Sequence, residues 1–210
     1  MKRTLLLSAI FCILAGAVGA QQIRTSPFEG RWVWDEKGNG DPDIIELVFF
    51  GNVMLGMNDE ALPVYMGTTF THTGRTITFG NGFDEWEYQL SGNTLTLSSE
   101  YNEHLSYTKT VMEKSPLEGI WKVTGGTGYD SDDEYYLLFA GDIMAAGSDS
   151  EYAGFKIEFS GKTFHPSRSY LVDGVSEKQL REATMEYKMS GRSLTITISE
   201  GSEVILTKAY

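Results

Sequence analysis

Cysteine is nearly absent: Cys12 is the single one in 210 residues, and it lies inside an apolar N-terminal run. Residues 21–210 therefore form no disulfide framework, no thiolate metal site and no thiol nucleophile, and stability has to come from apolar packing. Histidine is almost as scarce. His72, His104 and His165 show neither i, i+2 nor i, i+4 spacing, so no metal-ligand pattern is legible. The acidic runs Asp41-Pro42-Asp43 and Asp130-Ser131-Asp132-Asp133-Glu134 lack the glycine spacing and closing glutamate of a calcium loop and read as solvated loops. A Gly-x-Ser-x-Gly elbow, a phosphate loop and a dinucleotide fingerprint are all missing. With no motif that specifies a reaction, the expectation is a protein that is not an enzyme and that uses neither cofactor nor metal.

Positive charge is the next shortage, with 17 Lys and Arg against 29 Asp and Glu. Lys2 and Arg3 open the chain, Leu5 to Ala17 is an almost unbroken apolar run, and Val18-Gly19-Ala20 places small residues before Gln21. This is the pattern of a secretory signal cleaved after Ala20. The run is too short for a membrane span, which needs about 20 apolar residues. Cys12 sits too deep in it, behind Phe11, to be a lipidation site. Loss of Lys2 and Arg3 leaves 15 basic against 29 acidic side chains, a formal charge of −14. Phosphate backbones and anionic lipids repel such a surface, so nucleic acid is not an expected partner. The chain is expected to be exported, periplasmic or secreted, and not integral to a membrane.

What is present is a repeat. Ser26-Pro27-Phe28-Glu29-Gly30-Arg31-Trp32 returns as Ser115-Pro116-Leu117-Glu118-Gly119-Ile120-Trp121. Glu87-Tyr88-Gln89-Leu90-Ser91-Gly92-Asn93-Thr94-Leu95-Thr96-Leu97 returns as Glu186-Tyr187-Lys188-Met189-Ser190-Gly191-Arg192-Ser193-Leu194-Thr195-Ile196. Phe49 and Met54 correspond more loosely to Phe139 and Met144. The order is collinear, which predicts two tandem units, 21–112 and 113–210, with a very short link near Glu113-Lys114.

Within each unit the apolar period is two. Tyr88 and Leu90 alternate with Glu87 and Gln89, and Leu194 and Ile196 alternate with Ser193 and Thr195. Such alternation marks half-buried strands. Ser91-Gly92-Asn93, Ser160-Gly161-Lys162 and Ser190-Gly191-Arg192 supply turns between them. About eight strands per unit indicate antiparallel meander barrels. Ile45–Phe50 and Tyr135–Ala140 are apolar on both faces, which suggests that they lie between the two units. Only Val175–Met185 departs from the period; a short helix or a long hairpin arm is expected there.

Gly30-Arg31-Trp32 and Gly119-Ile120-Trp121, each opening its unit, resemble the Gly-x-Trp signature of the lipocalin-like superfamily. The late Ser-Gly-x-x-Leu-Thr segments, each followed by a Thr-Lys strand, resemble the closing hairpins of small bacterial lipocalin-like domains. The resemblance brackets nearly all of each unit. It implies tandem β-barrels in which Gly30, Trp32, Gly119 and Trp121 are structural, the tryptophans closing the barrel floor. Inward positions Phe49, Met54, His72 and Phe79, with Phe139, Met144 and Phe159, are then the candidate lining of a ligand site; by the Gly74/Gly161 alignment His72 takes the place of Phe159. Two functions follow as expectations: a binding protein holding a small hydrophobic ligand or lipid, or a module that docks on an envelope protein without any cavity.

Overall fold

The computed structural model describes residues 26–34, 44–58, 64–80, 84–99, 104–131, 134–148, 151–167, 183–198 and 201–209. The expected leader, the acidic run 41–43 and residues 175–182 of the expected helix or hairpin arm lie outside them. Met185, the last residue of that arm, opens a strand.

Alternation produces strands wherever it was read. Strand β1 (Gly30–Trp34), β2 (Glu46–Phe50), β3 (Val53–Met57), β4 (Val64–His72), β5 (Thr76–Phe79), β6 (Asp84–Ser91), β7 (Thr94–Ser98) and β8 (His104–Thr110) each pair antiparallel with the next, and β8 returns to β1. The same circuit runs through β9 (Gly119–Gly126), β10 (Tyr136–Ala140), β11 (Ile143–Ser148), β12 (Glu151–Ser160), β13 (Thr163–Pro166), β14 (Met185–Ser190), β15 (Ser193–Ile198) and β16 (Ser202–Lys208), with β16 returning to β9. The fold is all-β, contains a closed eight-stranded antiparallel barrel and has no helix among the described residues. Closure satisfies the strand edges that an open sheet would present to other chains.

The sequence repeat reappears in the registers. Trp32 stands opposite Lys109 and Trp121 opposite Lys208. Phe49 stands opposite Gly30 and Phe139 opposite Gly119. His72 opposes Ile77 as Phe159 opposes Phe164, so the alignment of His72 with Phe159 holds in the pairing.

Strands β4 and β12, the fourth of each circuit, also pair with each other. Val64, Tyr65, Met66, Gly67 and Thr68 stand opposite Phe155, Gly154, Ala153, Tyr152 and Glu151. The middle pair, Met66 and Ala153, joins corresponding positions, and the flanking pairs are reciprocal: Tyr65 faces Gly154, and Tyr152 faces Gly67. The seam thus has a local two-fold symmetry centred on Met66 and Ala153.

Three apolar clusters hold the molecule together. One lies inside the first circuit around Phe28, Trp32, Phe49, Phe70 and Ile77, and one inside the second around Trp121, Phe139, Phe164 and Leu194. The third joins Val48, Val53, Leu55 and Tyr65 to Leu138, Ala140, Ile143 and Tyr152. It uses the second apolar faces of β2 and β10, which explains why those strands are apolar on both sides.

Candidate functional site

Antiparallel order divides each circuit into two ends. In the first, the β2–β3, β4–β5 and β6–β7 connections are tight turns at one end, where Ser26–Glu29 lies across the interior. The seal is built from local sequence. Ser26 Oγ accepts the Phe28 N–H at 3.1 Å, Trp32 Nε1 donates to the Phe28 carbonyl at 2.6 Å, and Lys109 Nζ lies 5.1 Å from the Trp32 ring centroid. The second circuit repeats it: Ser115 Oγ accepts the Leu117 N–H at 3.0 Å, Trp121 Nε1 donates to the Leu117 carbonyl at 2.7 Å, and Lys208 Nζ sits 5.3 Å from the Trp121 ring. Glu29 and Glu118 each accept the N–H of a turn glycine, Gly51 and Gly141, at 3.0 Å. Burial pushes the Glu29 carboxyl above its ordinary value, against the Gly51 bond and with the Glu118 charge adding to the rise.

Most of the expected lining residues belong to this sealed end. Phe28 packs on Phe49, Phe70, His72 and Tyr88 with ring centroids 5.3, 5.9, 5.5 and 4.7 Å away. Phe49 and Met54 are buried in the same cluster, whereas His72 is exposed and packs at its edge against Phe28. In the second circuit Phe139 meets Phe164 at 5.8 Å, Phe159 meets Phe164 at 5.7 Å, and Met144 is buried beside them. Phe49 and Phe139 are both 0% exposed. A side chain lining a void large enough for water would keep some accessible surface, so a guest could reach these two only by displacing their neighbours.

Phe79 is the last residue of β5, opposite Phe70 on β4 and towards the end where the β1–β2, β3–β4, β5–β6 and β7–β8 connections join their strands. There it shares the inward face with Trp34, Ile44 and Trp86, all partly buried against the first cluster. The register places Trp86 opposite Ile77 on that face and Trp34 opposite the buried Tyr107, whose hydroxyl donates to the Ile44 carbonyl at 3.0 Å. Met66, opposite Gly56 on β3, continues the same side of β4 towards the seam and is 60% exposed. Trp34 Nε1 is buried and has no hydrogen-bond partner among the described residues. Trp34 and Trp86 were legible only as tryptophans found in the first unit alone; the Gly-x-Trp signature drew attention to Trp32 instead.

At the matching end of the second circuit the registers put Val123, Pro166 and Met185 where the first has Trp34, Phe79 and Trp86. The two ends therefore differ in chemistry although the strands correspond.

The seam carries the one dense charge network among the described residues. Arg31 Nε lies 3.1 Å from Glu46 Oε1, the Arg31 guanidinium also bonds Asp142, Lys156 Nζ lies 3.7 Å from Glu46 Oε2, and Tyr65 donates to Glu46 at 2.6 Å. Burial opposes the Arg31 charge, but Glu46 and Asp142 outweigh it and hold the guanidinium more firmly protonated than usual. Burial, then the Glu46 carboxylate, pushes Tyr65 far above the ordinary phenol range, so it stays a donor. Both signs are matched within the network, which suits a structural contact better than a site for a charged ligand. No group of three or more His, Cys, Asp or Glu able to hold a metal occurs among the described residues, and no helix among them is long and apolar enough to cross a membrane.

No protein-family model matches the chain, and no curated protein matches it. Among solved structures, the DNA polymerase III subunit beta from Pseudomonas aeruginosa is similar at 8% identity and a TM-score of 0.20, over 89% of this chain and 58% of that one. So small a similarity carries no inference about this protein.

Proposed function

We propose that this chain is an exported, lipocalin-like binding protein built as two tandem barrels, residues 21–112 and 113–210, and that it holds a small apolar ligand or lipid at the end of the first opposite the Ser26–Glu29 seal. One observation carries the reading: Trp34, Phe79 and Trp86, three large aromatic rings on the inward face of the first circuit, stay partly accessible, whereas Trp32 and Phe49 are buried. Large aromatic rings on a concave apolar face are what small-molecule sites use. Support for the tandem description comes from the paired registers and from the duplicated Ser–Trp seal. The test is native mass spectrometry of residues 21–210 purified from the native host. A carried mass is expected that leaves on denaturation and is lost from the Trp86→Ala protein. A clean apo mass, together with no binding of neutral apolar dyes, would sink the reading.

A module that docks on an envelope protein without a cavity is the second reading. It is favoured by the absence of accessible surface at Phe49 and Phe139. Under it, Trp86→Ala leaves small-molecule binding unchanged at zero and reduces capture of a protein partner.

A further inference from the structure

Resting on the reading of the rim as a binding site, we infer that the ligand is an uncharged apolar molecule bearing a carbonyl-type oxygen, that this oxygen accepts the Trp34 Nε1–H, and that each chain binds one such molecule. The donor is the first argument. Trp34 Nε1 is buried and unpaired among the described residues, while the other first-strand indoles, Trp32 and Trp121, each donate to a backbone carbonyl. A buried indole N–H usually finds a partner, and leaving it without one carries a desolvation penalty. A ligand that displaces the atoms covering Nε1 and brings an acceptor to it removes that penalty.

Charge is the second. The inward positions described at this end, Trp34, Ile44, Phe79, Trp86 and Met66, include no cationic side chain. A carboxylate or phosphate held there would be desolvated with no opposite charge beside it among the described residues, on a chain whose formal charge is already −12. A ketone, ester or amide oxygen accepts the same hydrogen bond without that cost. The third argument sets the stoichiometry. Val123, at the position of Trp34 in the second circuit, has no side-chain donor, and Pro166 and Met185 replace the aromatic rings of Phe79 and Trp86.

Two neutral probes with the same body separate these claims: 6-propionyl-2-dimethylaminonaphthalene, a ketone, and 2-dimethylaminonaphthalene, which lacks the carbonyl. Fluorescence titration of the full mature chain is expected to give one site, with the ketone bound about five- to tenfold more tightly, the yield of one neutral hydrogen bond. Trp34→Phe should erase that preference and leave the carbonyl-free probe nearly unchanged. In the unmutated protein the Trp34 indole N–H proton resonance should move downfield with the ketone and not with its analogue, a readout that does not depend on how the variant folds. Equal affinity for the two probes, with the Trp34 resonance indifferent to the carbonyl, overturns the inference and leaves the rim as a binding site. Two equivalent sites per chain overturn its single-site part. Failure of both probes to bind overturns the rim reading, and the inference falls with it.

Discussion

Trp32 and Trp121 are the side chains that most clearly tie local sequence to the fold. Each is buried and closes a loop of four residues by donating to the carbonyl of Phe28 or Leu117. Phenylalanine at either place keeps most of the ring volume but orphans a buried carbonyl. Trp32→Phe and Trp121→Phe should each cost about 1–3 kcal/mol, read as a lower urea midpoint with an unchanged slope. Similar losses at the two sites are expected because the device is the same; a loss at one alone would contradict that. Glu29 gives a pH-dependent counterpart. Its carboxyl is raised above 4.5, first by burial, so between 4.5 and its folded-state value the native protein binds more protons than the unfolded one. Stability from this residue is therefore greatest below 4.5 and falls as pH rises through that window. Glu29→Gln keeps an acceptor for the Gly51 N–H and should flatten this decline. In urea titrations at several pH values, the variant should gain on the parent from pH 4 to pH 7.

At the scale of elements, the two strands that meet at the seam, β4 and β12, pack on their neighbours β3 and β11 through small residues in the middle of strands. A methyl group at Gly67 would come within 2.4 Å of Leu55 Cδ2 and 2.7 Å of the Met54 carbonyl; one at Gly154 would come within 2.5 Å of the Met144 carbonyl. Gly74, in the β4–β5 turn, has nothing within 4 Å of such a methyl. Gly67→Ala and Gly154→Ala should each destabilise by about 1–3 kcal/mol through overpacking, while Gly74→Ala should stay within about 0.5 kcal/mol of the parent. Thermal unfolding of the three variants checks the contrast. Strand existence was legible in the alternation of Tyr88 with Glu87 or Leu194 with Thr195, because a strand buried on one face writes that period directly into the sequence. The β4–β12 pairing was not, since Val64–Thr68 carries no mark of which strand will lie beside it.

For the molecule as a whole, the third apolar cluster joins the two circuits as a single core, with Val48 and Leu55 on one side and Leu138 and Ile143 on the other. The charge network adds to it on one side of the local two-fold only. Where the first circuit has Arg31 and Glu46, the second has Ile120 and Tyr136 at the matching registers. A shared core predicts a single cooperative unfolding transition, with calorimetric and van't Hoff enthalpies in agreement. Two resolved transitions in scanning calorimetry would mean that the seam is too weak to couple the halves.

Local order left clear traces in the sequence. The Ser-Pro-x-Glu-Gly-x-Trp seal, the glycine turns and the inward aromatics are set by contacts between residues near in sequence or by a period of two, and both survive in a single chain read by itself. The double apolarity of Ile45–Phe50 also announced a second buried surface. Tertiary structure alone decided which inward residues are buried core and which stay partly accessible. Phe49 and Phe79 carry the same side chain on the same face, yet Phe49 is buried under the Phe28 ring and Phe79, at the end of β5, stays partly accessible. Accessibility depends on what the remaining strands bring against a ring, and that is a property of the closed circuit, not of the residue. The same holds for Trp34: its unpaired N–H exists only because closure buries Nε1 where the described residues offer it no acceptor.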